Sequence, residues 1–150
     1  MNIHKDFEEF LKYLTDEKVE FVIIGGYAVA FHGYVRATND MDLFFKNSNK
    51  NILKIRNALT KFGISTSDSD ADEFKKSDTI LRIGNPPVRI EMSNSISGIE
   101  FDDVWEHKIE DRYGDVTVYY ISLYDLLKNK KTSGRPKDLA DYDELGGNRK

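Results

Sequence analysis

The chain opens with Phe7, Phe10, Leu11 and Leu14, apolar positions at i, i+3, i+4 and i+7 that share one face of a helix. The period then changes. Val19-Glu20-Phe21-Val22-Ile23-Ile24 is a short apolar run rich in β-branched residues and ended by Gly25-Gly26. It predicts a buried strand turning sharply into a short helix over residues 27–32, which Gly33 stops. Residues 41–45 predict another strand. Ile52, Ile55, Leu59 and Phe62 line one side of a helix over residues 49–62, with Gly63 as its stop. Residues 80–83 and 88–92 read as a hairpin-like strand pair joined through Gly84-Asn85-Pro86-Pro87. A helical turn around residues 101–105 and a strand over residues 116–121 follow. Ser122 with Asp125 three residues on is a capping-box pattern, opening a helix with Leu123, Leu126 and Leu127. Pro136 suits the first position of a last helix, expected to bury Leu139, Tyr142 and Leu145.

Residues 66–78 stand apart, with five acids, one Phe and no aliphatic residue larger than alanine. That pattern predicts a mobile acidic loop. No repeat and no linker-like segment is visible, so one minimal domain over residues 1–150 is expected. The order of helices and strands reads as α/β or α+β, one mixed sheet flanked by helices.

Composition removes several classes of chemistry. With 39% hydrophobic and 32% charged residues the chain is ordinary globular rather than disordered. It has no cysteine, which excludes a disulfide scaffold, a thiolate zinc site, an iron–sulfur cluster and a cysteine nucleophile. No apolar run approaches the ~20 residues of a membrane span. An N-terminus holding Asp6, Glu8 and Glu9 is no signal peptide, so the cytoplasm is the expected compartment, with no membrane partner. The net charge of −4 argues against electrostatic coating of nucleic acid. That charge is uneven. Residues 66–78 contribute −3, whereas Lys128, Lys130, Lys131, Arg135 and Lys137 follow one another without an intervening acid, which leaves room for a local phosphate grip.

Three features carry candidate chemistry. Gly25-Gly26 at a strand–helix junction either lets backbone N–H groups approach an anion or serves only a tight turn. In Asp40-Met41-Asp42 the strand period puts both carboxylates on one face and Met41, Leu43 and Phe45 on the other. Two like charges so placed need a hard divalent cation such as Mg²⁺ or a solvated edge. Arg89, Glu91 and Ser93 share a face of their strand, where Glu91 is either a third metal ligand or Arg89's neighbour on an exposed sheet. Neither H-E-x-x-H, G-x-S-x-G nor a P-loop occurs.

Taken together, the run from Gly25-Gly26-Tyr27-Ala28 through His32-Gly33, Arg36 and Thr38 to Asp40-Met41-Asp42-Leu43 resembles the signature of the polymerase-β-like nucleotidyltransferase superfamily. More closely it is similar to small bacterial proteins related to the nucleotidyltransferase toxin of AbiE-type abortive-infection systems, with a pattern like G-G-x-A-x-x-x-H-G-x-x-R-x-T-x-D-x-D-L. Lys130 to Asp141 likewise resembles that group's K-x-x-x-G-R-x-K-D-x-x-D element.

The resemblance implies a polymerase-β-like fold and transfer of an NMP from an NTP to a hydroxyl on RNA (the tRNA 3′ end among them), a protein or a small molecule. It implies that Gly25 and Gly26 hold the triphosphate, and that Asp40 and Asp42 bind Mg²⁺ in a two-metal site, with Mn²⁺ as a substitute. Glu91 would help to hold the second ion and draw the acceptor's proton. Arg36 and Thr38 would contact phosphates or fix their loop, with Arg36 alternatively pairing an acid such as Asp42. Lys130, Arg135 and Lys137 would meet a phosphate or the acceptor, or form a solvated basic helix end. Asp138 would fix an Arg or the last helix's first turn, and His32 would act as a structural cap. A cognate antitoxin is an implied partner. Glu91 departs from the family's usual Asp, which implies slower chemistry, or nucleotide binding alone, unless the backbone compensates. Trp105, Tyr119 and Tyr120 read as core packing, with base stacking as the alternative.

Overall fold

The computed structural model of the chain describes residues 3–38, 40–85 and 88–149. The elements run α1 (Lys5–Asp16), β1 (Phe21–Ile24), α2 (Gly25–Phe31), β2 (Asp40–Phe45), α3 (Asn49–Lys61), α4 (Asp68–Lys75), β3 (Ile80–Asn85), β4 (Val88–Ser93), α5 (Phe101–His107), β5 (Ile109–Tyr113), β6 (Val116–Tyr120), α6 (Leu123–Ser133) and α7 (Pro136–Glu144). The strands form one six-stranded sheet in the order β3-β4-β2-β1-β6-β5. It is mixed: β1/β6 and β2/β4 are parallel, and the other neighbours antiparallel. No helix among the described residues is long and apolar enough to cross a membrane.

The apolar periodicity accounts for the core. Phe7, Phe10, Leu11 and Leu14 of α1 are wholly buried, beside Ile52, Ile55, Ala58 and Leu59 of α3. Strand β2 shows why the site is where it is. Met41, Leu43 and Phe45 are buried along one face, while the other face changes character along its length. Phe44 is buried against Phe101 of α5, with ring centroids 5.1 Å apart, but Asp42 and Asp40 stay partly open. Buried Asn51 ties the sheet to α3, its side chain bonding the backbone of Glu20 at both N–H and C=O and the carbonyl of Lys46.

Four elements differ from the sequence expectation. Residues 66–78 are not a loop throughout: α4 forms there on a reciprocal capping box between Ser67 and Asp70, and Arg56 holds Thr66 and Asp68. Its helix buries only Ala71, so no apolar stripe announces it, although the S-x-x-D signal was present. Strand β5 is an edge strand with only Tyr113 buried, which hides its period-2 pattern. At Ser122 only half the capping box exists. The hydroxyl accepts from the Asp125 N–H, while the Asp125 carboxylate accepts from His107 Nδ1 at 3.1 Å. In α7 the buried residues are Asp138 and Asp141, with Tyr142 and Leu145 partly buried and Leu139 43% exposed. The buried face of α7 is charged, because its partners are cations, Lys130 of the adjoining α6, Arg135 at the helix start and the distant Arg36, rather than apolar side chains. Pro86 and Pro87 of the β3–β4 connection lie outside the described residues.

Candidate functional site

The glycine pair is the first turn of α2 itself rather than a loop before it. Gly25 has φ +63°, a left-handed conformation open to glycine, and a Cβ there would collide with the Asp42 carboxylate. A Cβ on Gly26 would collide with the Thr38 hydroxyl in the same way. The two glycines are thus required by the close approach of two other candidate residues, as well as by the turn.

The acidic wall follows from strand register. Across parallel β2/β4, Asp40 faces Arg89 and Asp42 faces Glu91, and antiparallel β3 puts Arg82 opposite Glu91. Arg89 Nη2 donates to Asp40 Oδ2 at 2.7 Å and lies 3.4 Å from Glu91 Oε1. Arg82 Nε donates to Glu91 at 3.3 Å. Glu91 is Arg89's neighbour on this face and also borders Asp42 across the strand pair. Burial, with the neighbouring charges of Glu91 and Asp40, pushes the Asp42 carboxyl up to about 6, while Lys130 and Lys137 pull it back.

The basic wall comes from α6 and α7. Buried Lys130 donates to Asp138 at 3.0 Å and lies 3.1 Å from Asp141. Arg36 donates to both oxygens of Asp141, at 2.8 and 2.9 Å, so its partner is Asp141 rather than Asp42. Asp138 also accepts from Ser133 and from Arg135 Nε, so it fixes an arginine and the first turn of α7. Burial raises both Asp138 and Asp141, but these donors outweigh it and hold both below the ordinary carboxylate range. Lys130 is neither solvated nor free. Arg135 is largely exposed and Lys137 exposed.

One cavity of about 850 Å³ joins the two walls, within the size range of pockets that hold nucleotides and other small molecules. Gly25, Gly26, Arg36, Thr38, Asp40, Asp42, Glu91, Lys130, Arg135 and Lys137 all line it. Ser93, placed by the sequence on the face of Glu91, lines the cavity, and sequence reasoning passed over the polar side chains beside it, Ser95, Ser97 and Asn129. It also passed over Arg82, whose only signal is its antiparallel register with Glu91. His32 lies apart, donating from Nε2 to the Ile121 carbonyl at 2.7 Å in a structural role. Tyr120 stacks on Phe31 in the core, Trp105 packs on Phe101 and Tyr119, and none of Trp105, Tyr119 and Tyr120 lines the cavity.

The donor chemistry suits a hard divalent ion: carboxylate oxygens only, with Asp42 outside every ion pair among the described residues. Asp40 is paired with Arg89, and among the described residues no three His, Cys, Asp or Glu groups gather where one ion could sit.

The mixed sheet thus carries a glycine-opened helix and paired aspartates that share one cavity with a basic wall. The chain belongs to the DUF6036 family, described as nucleotidyltransferase of unknown function, whose model matches residues 1–145. In structure it is similar to a protein from Thermotoga maritima provisionally described as a nucleotidyltransferase, with a TM-score of 0.62. That likeness, at 15% identity over 95% of this chain and 91% of the other, is one of fold. No curated protein matches the chain.

Proposed function

We propose that the chain transfers an NMP unit from an NTP to a hydroxyl acceptor, with Asp40, Asp42 and Glu91 holding Mg²⁺, or Mn²⁺ in its place, in a two-metal site. The observation that supports this most is the single cavity in which all three carboxylates face Lys130, Arg135 and Lys137. The bound ions would neutralise charge on the phosphates and orient in-line attack. The chain's own residues do the remainder. The Gly25-Gly26 turn, on which Asp42 and Thr38 pack, would hold the triphosphate by its backbone, the exposed Lys137 would meet phosphate oxygens, and Arg135 would do so from its bond to Asp138. Lys130 and Arg36 act one step back, because their charges are spent on Asp138 and Asp141. The acceptor oxygen forms its bond to the α-phosphorus, the bond from that phosphorus to the β-phosphate bridging oxygen breaks, and pyrophosphate leaves with the electron pair. Glu91 takes the acceptor's proton on a carboxylate oxygen.

The finer likeness to AbiE-type toxins makes RNA, and the tRNA 3′ end in particular, the first acceptor to test, before protein and small-molecule hydroxyls. It also makes a cognate antitoxin the partner to look for. A second reading, a nucleotide-binding module with little or no catalysis, draws on one observation: Asp40 is paired with Arg89.

One experiment separates them. The protein is incubated with each α-labelled NTP, Mg²⁺ and total RNA or cell extract, beside an Asp40→Ala/Asp42→Ala control. Transfer by the wild type alone supports the assigned site. Transfer that survives the double substitution refutes it, and NTP binding by thermal shift without transfer to any acceptor selects the binding module.

A further inference from the structure

Two arginines hold the outer carboxylates of the acidic wall, and they do so differently. Arg82 is 57% exposed and, among the described residues, pairs with Glu91 alone. Arg89 is 30% exposed, and its Nη2 reaches both Asp40 and Glu91. Asp40 and Arg89 are direct partners across β2/β4, so register rather than a flexible surface side chain brings them together. The Arg89 Nε is buried and has no hydrogen-bond partner among the described residues. An orphaned buried donor is costly, and a guanidinium that leaves one of its nitrogens unpaired is incompletely held where it lies. Its single delocalised charge also offsets the carboxylates less than a compact divalent ion at the same place would.

We propose that Arg89 is an exchangeable internal counter-cation: it neutralises Asp40 and Glu91 when no metal is bound, and must release Asp40 for a divalent ion to bind. Arg89 therefore sets the affinity of the site for that ion. This rests on the proposal above that Asp40 and Asp42 take such an ion, and it concerns ion affinity rather than turnover.

The test is Mn²⁺ binding followed by the electron-paramagnetic signal of the free ion, together with thermal midpoints with and without Mn²⁺. Five proteins are compared: wild type, Arg89→Gln, Arg89→Lys, Arg82→Gln and the Asp40→Ala/Asp42→Ala control. Arg89→Gln is expected to bind Mn²⁺ about tenfold more tightly, since a competing positive charge is gone. Its metal-free midpoint should fall, and Mn²⁺ should raise that midpoint more than it does in wild type. Arg82→Gln, which leaves Asp40 untouched, should change affinity less. Arg89→Lys keeps the charge and should fall between, and it carries the test if Arg89→Gln does not fold. Unchanged or weaker binding in the Arg89 variants overturns the proposal while leaving the metal site standing. Equal tightening in Arg82→Gln also overturns it, since a general charge effect would then suffice. If wild type shows no Mn²⁺ binding that the double control removes, the metal site itself fails and this inference fails with it.

Discussion

Arg36 and Asp141, 105 residues apart in the chain, are joined by two parallel hydrogen bonds of 2.8 and 2.9 Å, with the aspartate side chain only 2% exposed. The pair ties the segment before β2, which carries Thr38, to α7, and Lys130 joins it from α6. The K-x-x-x-G-R-x-K-D-x-x-D element is therefore two things at once: an internal lock made by Lys130, Asp138 and Asp141, with the largely exposed Arg135 bonded to its edge at Asp138, and an exposed cation, Lys137.

Removing the shared acid should cost more than the pair is worth. Asp141→Asn leaves Arg36 and Lys130 facing each other without their carboxylate, and is expected to destabilise the fold by roughly 3 kcal/mol in urea melts. Its native carboxyl lies below the ordinary value, so the stability it contributes is present above the unfolded value near 4 and is lost as pH falls through the folded one. The wild type should thus lose stability in acid more steeply than Asp141→Asn.

Asp42 should behave in the opposite sense. Its carboxyl sits at about 6, above the unfolded value, so the folded state holds that proton more tightly. The associated stability is full below about pH 4 and lost as pH rises through about 6. In metal-free buffer, Asp42→Asn should therefore be more stable than wild type at pH 7.5, by on the order of 2–3 kcal/mol, with the difference vanishing near pH 4. Mg²⁺ should narrow the gap at pH 7.5 by stabilising wild type alone. Nucleotidyl transfer by the variant should be lost.

Gly25→Ala should be damaging on two counts, a strained positive φ and a collision with the Asp42 carboxylate. Roughly 1–3 kcal/mol of lost stability is expected from the backbone strain, with NTP binding weakened further. A variant with unaltered melting and unaltered NTP affinity would contradict the tight packing of Asp42 on this turn.

Lys137→Ala and Lys130→Ala should split cleanly. The exposed Lys137 is expected to change the melting midpoint little and to raise the KM for NTP by about tenfold, the loss of one charge-assisted phosphate contact. Lys130→Ala should instead lower the midpoint markedly, because Asp138 and Asp141 are left buried with less compensation. Parallel melting curves and steady-state kinetics decide between lock and grip for each lysine.

Much of this was legible in the chain. The stripe Phe7, Phe10, Leu11 and Leu14, the run into Gly25-Gly26, and the alternation around Asp40 and Asp42 follow from apolar period alone, since burying one face of an element leaves a local record. The elements that period missed, α4 and β5, bury one residue each and leave almost none.

Local alternation puts Asp40 and Asp42 on one face and Glu91 with Arg89 on another, and glycines stand where the chain must turn. Which of these faces meet is settled by the assembled sheet and helices. Strand register set Asp42 beside Glu91 and Asp40 beside Arg89, and the α6–α7 pair turned Asp138 and Asp141 inward onto Lys130 and Arg36. Periodicity records how each segment divides between core and solvent. The pairing of Arg36 with Asp141, 105 residues on, depends on where the folded backbone brings the two segments, and no local pattern carries that information.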